Sequence, residues 1–199
     1  DEWGTWWDVE PGTNPGFLYQ QNTLRDAVTA AIHLNIFNQH AERVKVANLA
    51  QTVNVLQSVI LTKDDKMVLT PTYHVFRMFR VHQNARLLKT DLKCEDYVNG
   101  DRKIQSVSAS ASVDAAGKVH ISLANLNPGK ALTLTCPVIG ETFKKVTGEV
   151  RTADSMNAMN TFEAGDNIKP ATFNGFTYKD GILTVNMPSK SVIVLELSK

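Results

Sequence analysis

Ser106-Val107-Ser108-Ala109-Ser110-Ala111-Ser112-Val113 alternates polar and apolar residues without a break. Side chains on an extended chain point to opposite faces in turn, so a period of two marks a β-strand with two unlike faces. The pattern returns in Val119-His120-Ile121-Ser122-Leu123, after which Asn127-Pro128-Gly129 turns the chain into Leu132-Thr133-Leu134-Thr135-Cys136. Farther on, Asp180-Gly181 separates Phe176-Thr177-Tyr178 from Leu183-Thr184-Val185, and Val192 to Leu197 ends the series. Short strands punctuated by turns in this way point to an antiparallel sandwich, for which about 100 residues is a usual size. Residues 88–199 are therefore expected to form an all-β jelly-roll or β-sandwich domain.

Toward the N-terminus the texture changes. Thr23-Leu24-Arg25-Asp26 has the spacing in which a Thr hydroxyl and an Asp carboxylate satisfy the free N–H groups of a helix start. Leu24, Ala27, Val28, Ala31, Ile32 and Ile36 follow helical spacing, while Ala30, Leu34 and Phe37 widen the apolar surface. A helix from Thr23 to His40, greasy over most of its circumference, needs partners on more than one side. Val44 to Leu49 reads as a short strand, Val53 to Ile60 as a second β-branched run, and Lys63-Asp64-Asp65-Lys66 as a charged turn. Pro71 introduces a short helix across Tyr73 to Gln83, with Tyr73, Phe76 and Phe79 on one side. Helix alternating with strand suits βα units. A full eight-fold barrel takes roughly 200 to 250 residues, so residues 1–87 are either a small layer on the sandwich or the end of a barrel.

Composition removes several classes of function. The 199 residues carry 21 Lys and Arg against 20 Asp and Glu, for a net charge of +1. That balance gives nucleic-acid binding no electrostatic support. No uncharged apolar run approaches the roughly 18 residues of a membrane span. Five His residues (His33, His40, His74, His82, His120) show no metal-ligand spacing, and no glycine loop is built to cradle a phosphate. Neither a metal nor another cofactor is expected. Cys94 and Cys136 are too few for a disulfide framework and are expected as buried free thiols.

The chain opens Asp1-Glu2-Trp3-Gly4-Thr5-Trp6-Trp7-Asp8. Three Trp within five residues are a costly aromatic surface for a frayed end, so these residues are expected to start inside a structural element of a longer parent. A carboxylate at the end of a strand, walled by aromatics, is an arrangement found in glycosidases, where one carboxylate attacks the anomeric carbon and a second protonates the leaving oxygen. From spacing alone Asp1 and Glu2 read more simply as solvated terminal charges, and the tryptophans as packing. Gln51 follows the Val44 to Leu49 strand, where its amide could bond vicinal hydroxyls or simply satisfy loop backbone.

These stretches together resemble the C-terminal portion of family 51 α-L-arabinofuranosidases. The likeness is carried by Asp1 to Trp7, Asp8-Val9-Glu10-Pro11-Gly12, Asn22 to Ala27, His40 to Val44 and Ala50-Gln51-Thr52-Val53-Asn54-Val55. Asn160-Thr161-Phe162-Glu163, Ile168-Lys169-Pro170 and the ending Pro188 to Leu197 extend it more loosely through the sandwich. The resemblance implies a retaining, two-carboxylate enzyme that removes terminal α-L-arabinofuranosyl groups from arabinoxylan or arabinan. It implies Glu2 as the nucleophile, Trp6 as an active-site aromatic and Gln51 as a contact to the bound furanose. Gly4, where Asn is common, and Trp7, where Tyr is common, depart from the usual pattern.

The same resemblance implies residues 1–87 as the terminal βα units of an incomplete (β/α)8 TIM barrel, with residues 88–199 as the sandwich. The family's general acid/base is a Glu in an Asn-Glu pair that does not occur here, so the chain alone is expected to be inactive. Self-association into a homo-oligomer is expected too, with the Thr23 to His40 helix buried either in a dimer or against the sandwich. A second reading is a stand-alone β-sandwich module for carbohydrate binding or for structure. Its aromatics (Phe143, Phe162, Phe173, Phe176, Tyr178) are expected mostly in the core.

Overall fold

In the computed structural model, residues 2–199 are described; Asp1 of the opening motif lies outside them. In chain order the elements are β1 (Glu2–Trp3), α1 (Leu24–Gln39), β2 (Asn48–Leu49), β3 (Ile60–Lys63), β4 (Lys66–Leu69) and α2 (Pro71–Phe79). There follow β5 (Arg86–Leu88), β6 (Asp96–Asn99), β7 (Arg102–Gln105), β8 (Val107–Val113), β9 (Val119–Asn125) and β10 (Leu132–Pro137). The last are β11 (Lys145–Arg151), β12 (Ala171–Thr172), β13 (Phe176–Lys179), β14 (Ile182–Met187) and β15 (Ser191–Ser198). Single turns of 3-10 helix occur at Pro15–Phe17 and Arg80–His82.

Two antiparallel sheets make the sandwich. The larger has the strand order β12-β11-β15-β9-β8-β5, the smaller β10-β14-β13. Their facing sides close over a core that includes Val107, Leu123, Leu183, Val185, Met187, Ile193 and Leu195. Gly148 on β11 permits a close approach inside it. A Cβ there would stand 2.8 Å from Leu195 Cδ2 and 2.9 Å from the Phe173 carbonyl, so only glycine fits. Asp180 and Gly181, with φ of 50° and 77°, supply the left-handed turn that joins β13 to β14.

The larger sheet is buried on its other side as well, beneath α1 and α2. Leu24, Ala27, Val28, Ala31, Val75, Met78 and Phe79 share a second core with Ala124, Val192 and Val194. This explains why Val192-Ile193-Val194-Leu195 has no polar alternation: successive side chains enter different cores and neither face meets water. It also explains the serines of β8. Ser108 and Ser110 hydrogen-bond Asn35 of α1, Ser110 also meets Asn38, and Ser112 meets His82. Alternation identified the strand, and the polar face proves to lie under a helix.

Here the barrel expectation is overturned. The chain is an all-β sandwich domain bearing two helices, with no terminal units of a TIM barrel among the described residues. Among the described residues the one parallel pairing between named strands, β1 with β2, is two residues long (Glu2↔Asn48, Trp3↔Leu49). Of the strand expected over Val44 to Leu49 only Asn48–Leu49 forms. The β-branched run Val53 to Ile60 is mostly turns, with Asn54 and Leu56 left-handed at φ of 58° and 52°. The physical reason lies in α1, whose broad apolar surface is satisfied by the sandwich sheet and α2. This is one of the two burial routes anticipated for that helix. Both cysteines are free, but Cys136 is exposed and Cys94 only partly covered, so burial was the wrong expectation.

Candidate functional site

Backbone pairing assembles the region around Glu2 first. β1 lies parallel to β2 with Glu2 opposite Asn48, and the Ala50 N–H then donates to the Trp3 carbonyl at 2.9 Å, carrying the pairing one residue past the ladder. Gln51 is next along the chain. The carboxylate and the amide therefore belong to two neighbouring chain segments, and both residues are exposed. The Ala50–Gln51 peptide bond is cis.

Trp3 faces inward, stacked on His33 at 5.2 Å and on Phe76 at 6.1 Å, with Phe37 edge-on at 5.3 Å. His33 is thereby accounted for as a packing residue, its Nδ1 at 2.8 Å from the Thr29 carbonyl. Trp6, by contrast, is 66% exposed. Between these two, Gly4 has φ of 153°, and a Cβ on it would come within 3.3 Å of Gln57 Oε1 and 3.4 Å of the Ala50 carbonyl. The glycine that stands where Asn is common thus occupies a close passage between two segments.

The loop from Gly4 to Trp7 rests on three buried side chains. Gln57 Oε1 accepts from the Thr5 N–H at 2.8 Å, and Gln57 Nε2 donates to the Asp26 carbonyl. Gln20 Oε1 accepts from the Trp7 N–H at 2.9 Å. The Asp26 carboxylate accepts from Thr5 Oγ1 and from Trp7 Nε1, each at 2.7 Å. The Arg25 guanidinium covers the Trp7 ring at 3.8 Å, an arrangement that stabilises both groups by cation–π attraction. Sequence reasoning assigned Asp26 to the helix start, correctly, but its bonds to residues 5 and 7 had no local signal. Gln57 and Gln20 were missed for the same reason, since only the folded chain brings them beneath the loop.

Gln51 also lines an open cleft of about 580 Å³ with Asn48, Tyr73, Phe76, Arg77 and Arg80; neither Glu2 nor Trp6 is among its walls. Arg77 is ion-paired with Glu149 of β11. Behind the cleft, burial together with Arg151 and Arg77 pushes the His74 imidazole down to about 4. Burial also lowers the Arg151 guanidinium to about 9. No group of three or more His, Cys, Asp or Glu able to hold a metal ion occurs among the described residues.

The fold is that of a two-sheet β-sandwich domain with a helical layer over its larger sheet. Residues 1–191 match the family model described as the α-L-arabinofuranosidase C-terminal domain, and the chain belongs to that family. Over 198 residues it is 50% identical to an intracellular exo-α-L-arabinofuranosidase of Bacteroides ovatus, covering 99% of this chain and 38% of that protein. A probable α-L-arabinofuranosidase C of Aspergillus niger is 26% identical over 167 residues, 79% of this chain and 33% of its own length. Among solved structures, the GH51 arabinofuranosidase of Xanthomonas axonopodis pv. citri superposes with a TM-score of 0.97 at 44% identity, covering all of this chain and 40% of that one. An arabinose complex of the Thermotoga maritima α-L-arabinofuranosidase gives 0.80 at 26% identity, over 98% and 42%. The chain thus spans about two fifths of the length of such relatives.

Proposed function

We propose that this chain contributes the nucleophile side of the active site of a retaining exo-α-L-arabinofuranosidase, acting on terminal α-L-arabinofuranosyl groups of arabinoxylan or arabinan. The observation that carries the reading is the parallel pairing of Glu2–Trp3 with Asn48–Leu49, which aligns the exposed Glu2 with the segment ending in Gln51. Glu2 attacks the anomeric carbon and forms a covalent arabinosyl-enzyme, Gln51 orients the furanose hydroxyls, and Trp6 forms part of the pocket wall.

Retaining hydrolysis needs a second carboxyl group about 5 to 5.5 Å from the first, to protonate the leaving oxygen and later activate water. That group is expected outside these 199 residues, so the chain by itself releases no arabinose. General acid catalysis typically contributes about 10²–10⁴-fold, and a lone nucleophile forfeits it.

The test is Glu2→Ala in the arabinofuranosidase containing this chain, assayed on an aryl α-L-arabinofuranoside. Turnover is expected to fall on the order of 10⁴-fold or more. Azide should restore aryl release and yield an arabinosyl azide of inverted configuration, because the small anion occupies the space of the missing carboxylate. Near-normal turnover in the variant would rule the assignment out. Saturable binding of arabinan oligosaccharides by the chain, with turnover indifferent to Glu2, would favour a binding module instead.

A further inference from the structure

We propose that Asp26 is a positioning residue that sets the direction of Trp6 by clamping the residues on either side of it. Trp6 has no hydrogen bond or ring contact of its own among the described residues, and most of its surface meets solvent. Its direction is therefore inherited from Thr5 and Trp7. Both side chains donate to one oxygen of Asp26, Thr5 through Oγ1 and Trp7 through Nε1, at 2.7 Å each. The second oxygen accepts the Thr23 N–H at 2.7 Å and the Thr23 hydroxyl at 3.0 Å, which ties the clamp to the first turn of α1. Asp26 is fully buried, and α1 beneath it is packed into the helix–sheet core, so the clamp stands on a rigid base.

An ionised carboxylate suits the position because all four protons point toward it. An amide cannot satisfy that set: whichever way it turns, its NH2 faces donors on one side. The chemical demand is for an acceptor on both oxygens, and among side chains of this length Asp alone supplies it.

The consequence for turnover rests on the reading of Trp6 as a pocket wall; the positional claim does not. The test therefore uses two readouts. In the 199-residue chain labelled with 5-fluorotryptophan, the Trp6 resonance is assigned with Trp6→Phe and followed in Asp26→Asn and Thr5→Val. Both variants are expected to move the Trp6 line toward its position in urea and to broaden it, while the Trp3 line stays in place. Thr5→Ser, which keeps the hydroxyl, should retain the native line. Should Asp26→Asn fail to fold, Thr5→Val still removes one donor from the clamp and leaves the helix start intact. An unmoved Trp6 line in folded Thr5→Val overturns the clamp. In the arabinofuranosidase, Thr5→Val is expected to lower kcat/KM on an aryl arabinoside by about tenfold, within the range seen when a catalytic group is misplaced by an ångström, and Thr5→Ser to restore it. A displaced line with unchanged kcat/KM overturns the role of Trp6 as a wall, and with it the functional half of the proposal.

Discussion

His74 and His82 are neutral side chains locked beneath the helical layer. Burial, reinforced by Arg151 and Arg77, brings His74 to about 4, and burial with the nearby His120 does the same to His82. An unfolded histidine titrates near 6.5, so below that pH the unfolded chain binds more protons than the native one. The stability these two residues contribute is complete above about pH 6.5 and lost as the pH falls toward 4, on the order of a few kcal/mol in all. Urea midpoints measured from pH 7 to 4 should fall steeply. His82→Asn, whose amide can still reach Ser112 Oγ where Nδ1 now stands at 2.7 Å, should flatten the profile. At this scale the sequence was partly legible. Glu2, Trp6 and Gln51 were picked out by motif, and all three are exposed. Asp26, Gln57 and Gln20 hold the Gly4 to Trp7 loop, yet their partners lie up to 52 residues away and no short-range pattern betrays them.

Among elements, α1 and its contact with the sheet carry most of the architecture. The helix was legible to within a residue because its capping signal and apolar spacing are local: Thr23 caps it, and it ends at Gln39. The strands β8, β9, β10 and β15 were legible from alternation or β-branched runs bounded by turns. What failed was the inference from helix and strand order to a barrel. Val53 to Val59 has the composition of a strand, but Leu56 is drawn into a turn whose N–H reaches the Leu18 carbonyl at 2.9 Å, a long-range bond that overrides propensity. The contact of α1 with β8 and β9 is unusual in being polar at its centre. Asn35 Oδ1 accepts from Ser110 and Ser122 at 2.8 and 2.6 Å, and its Nδ2 donates to Ser108. Asn35→Ala removes the acceptor shared by the buried Ser110 and Ser122 hydroxyls and is expected to cost about 1–3 kcal/mol in urea unfolding. Asn35→Ala combined with Ser110→Ala and Ser122→Ala should cost less than the sum of the parts, since the unsatisfied groups leave together.

For the molecule as a whole, the two cores share one sheet, and β15 contributes to both. The helical layer and the sandwich are therefore expected to unfold as one cooperative unit. Amide exchange at Ala27–Ala31 and at Val192–Leu195 should proceed through the same opening and respond identically to denaturant. The β6–β7 hairpin joins neither sheet and is solvated on most of its surface, so its amides should exchange first. Earlier loss of protection in α1 than in β15 would mean that the layer is a separable cover. The double burial of β15 has a further consequence during biosynthesis. Ser191–Ser198 is made after both of its partner strands, and four of its successive residues are branched aliphatics without a charge among them. Until it is seated between β9 and β11 it has the composition of a segment that nucleates intermolecular aggregates, with only Lys190 and Glu196 nearby as gatekeepers. A mutation that loosens α1 from the sheet is thus expected to show itself in cells first as insoluble protein, before any loss of specific activity in the fraction that remains in solution.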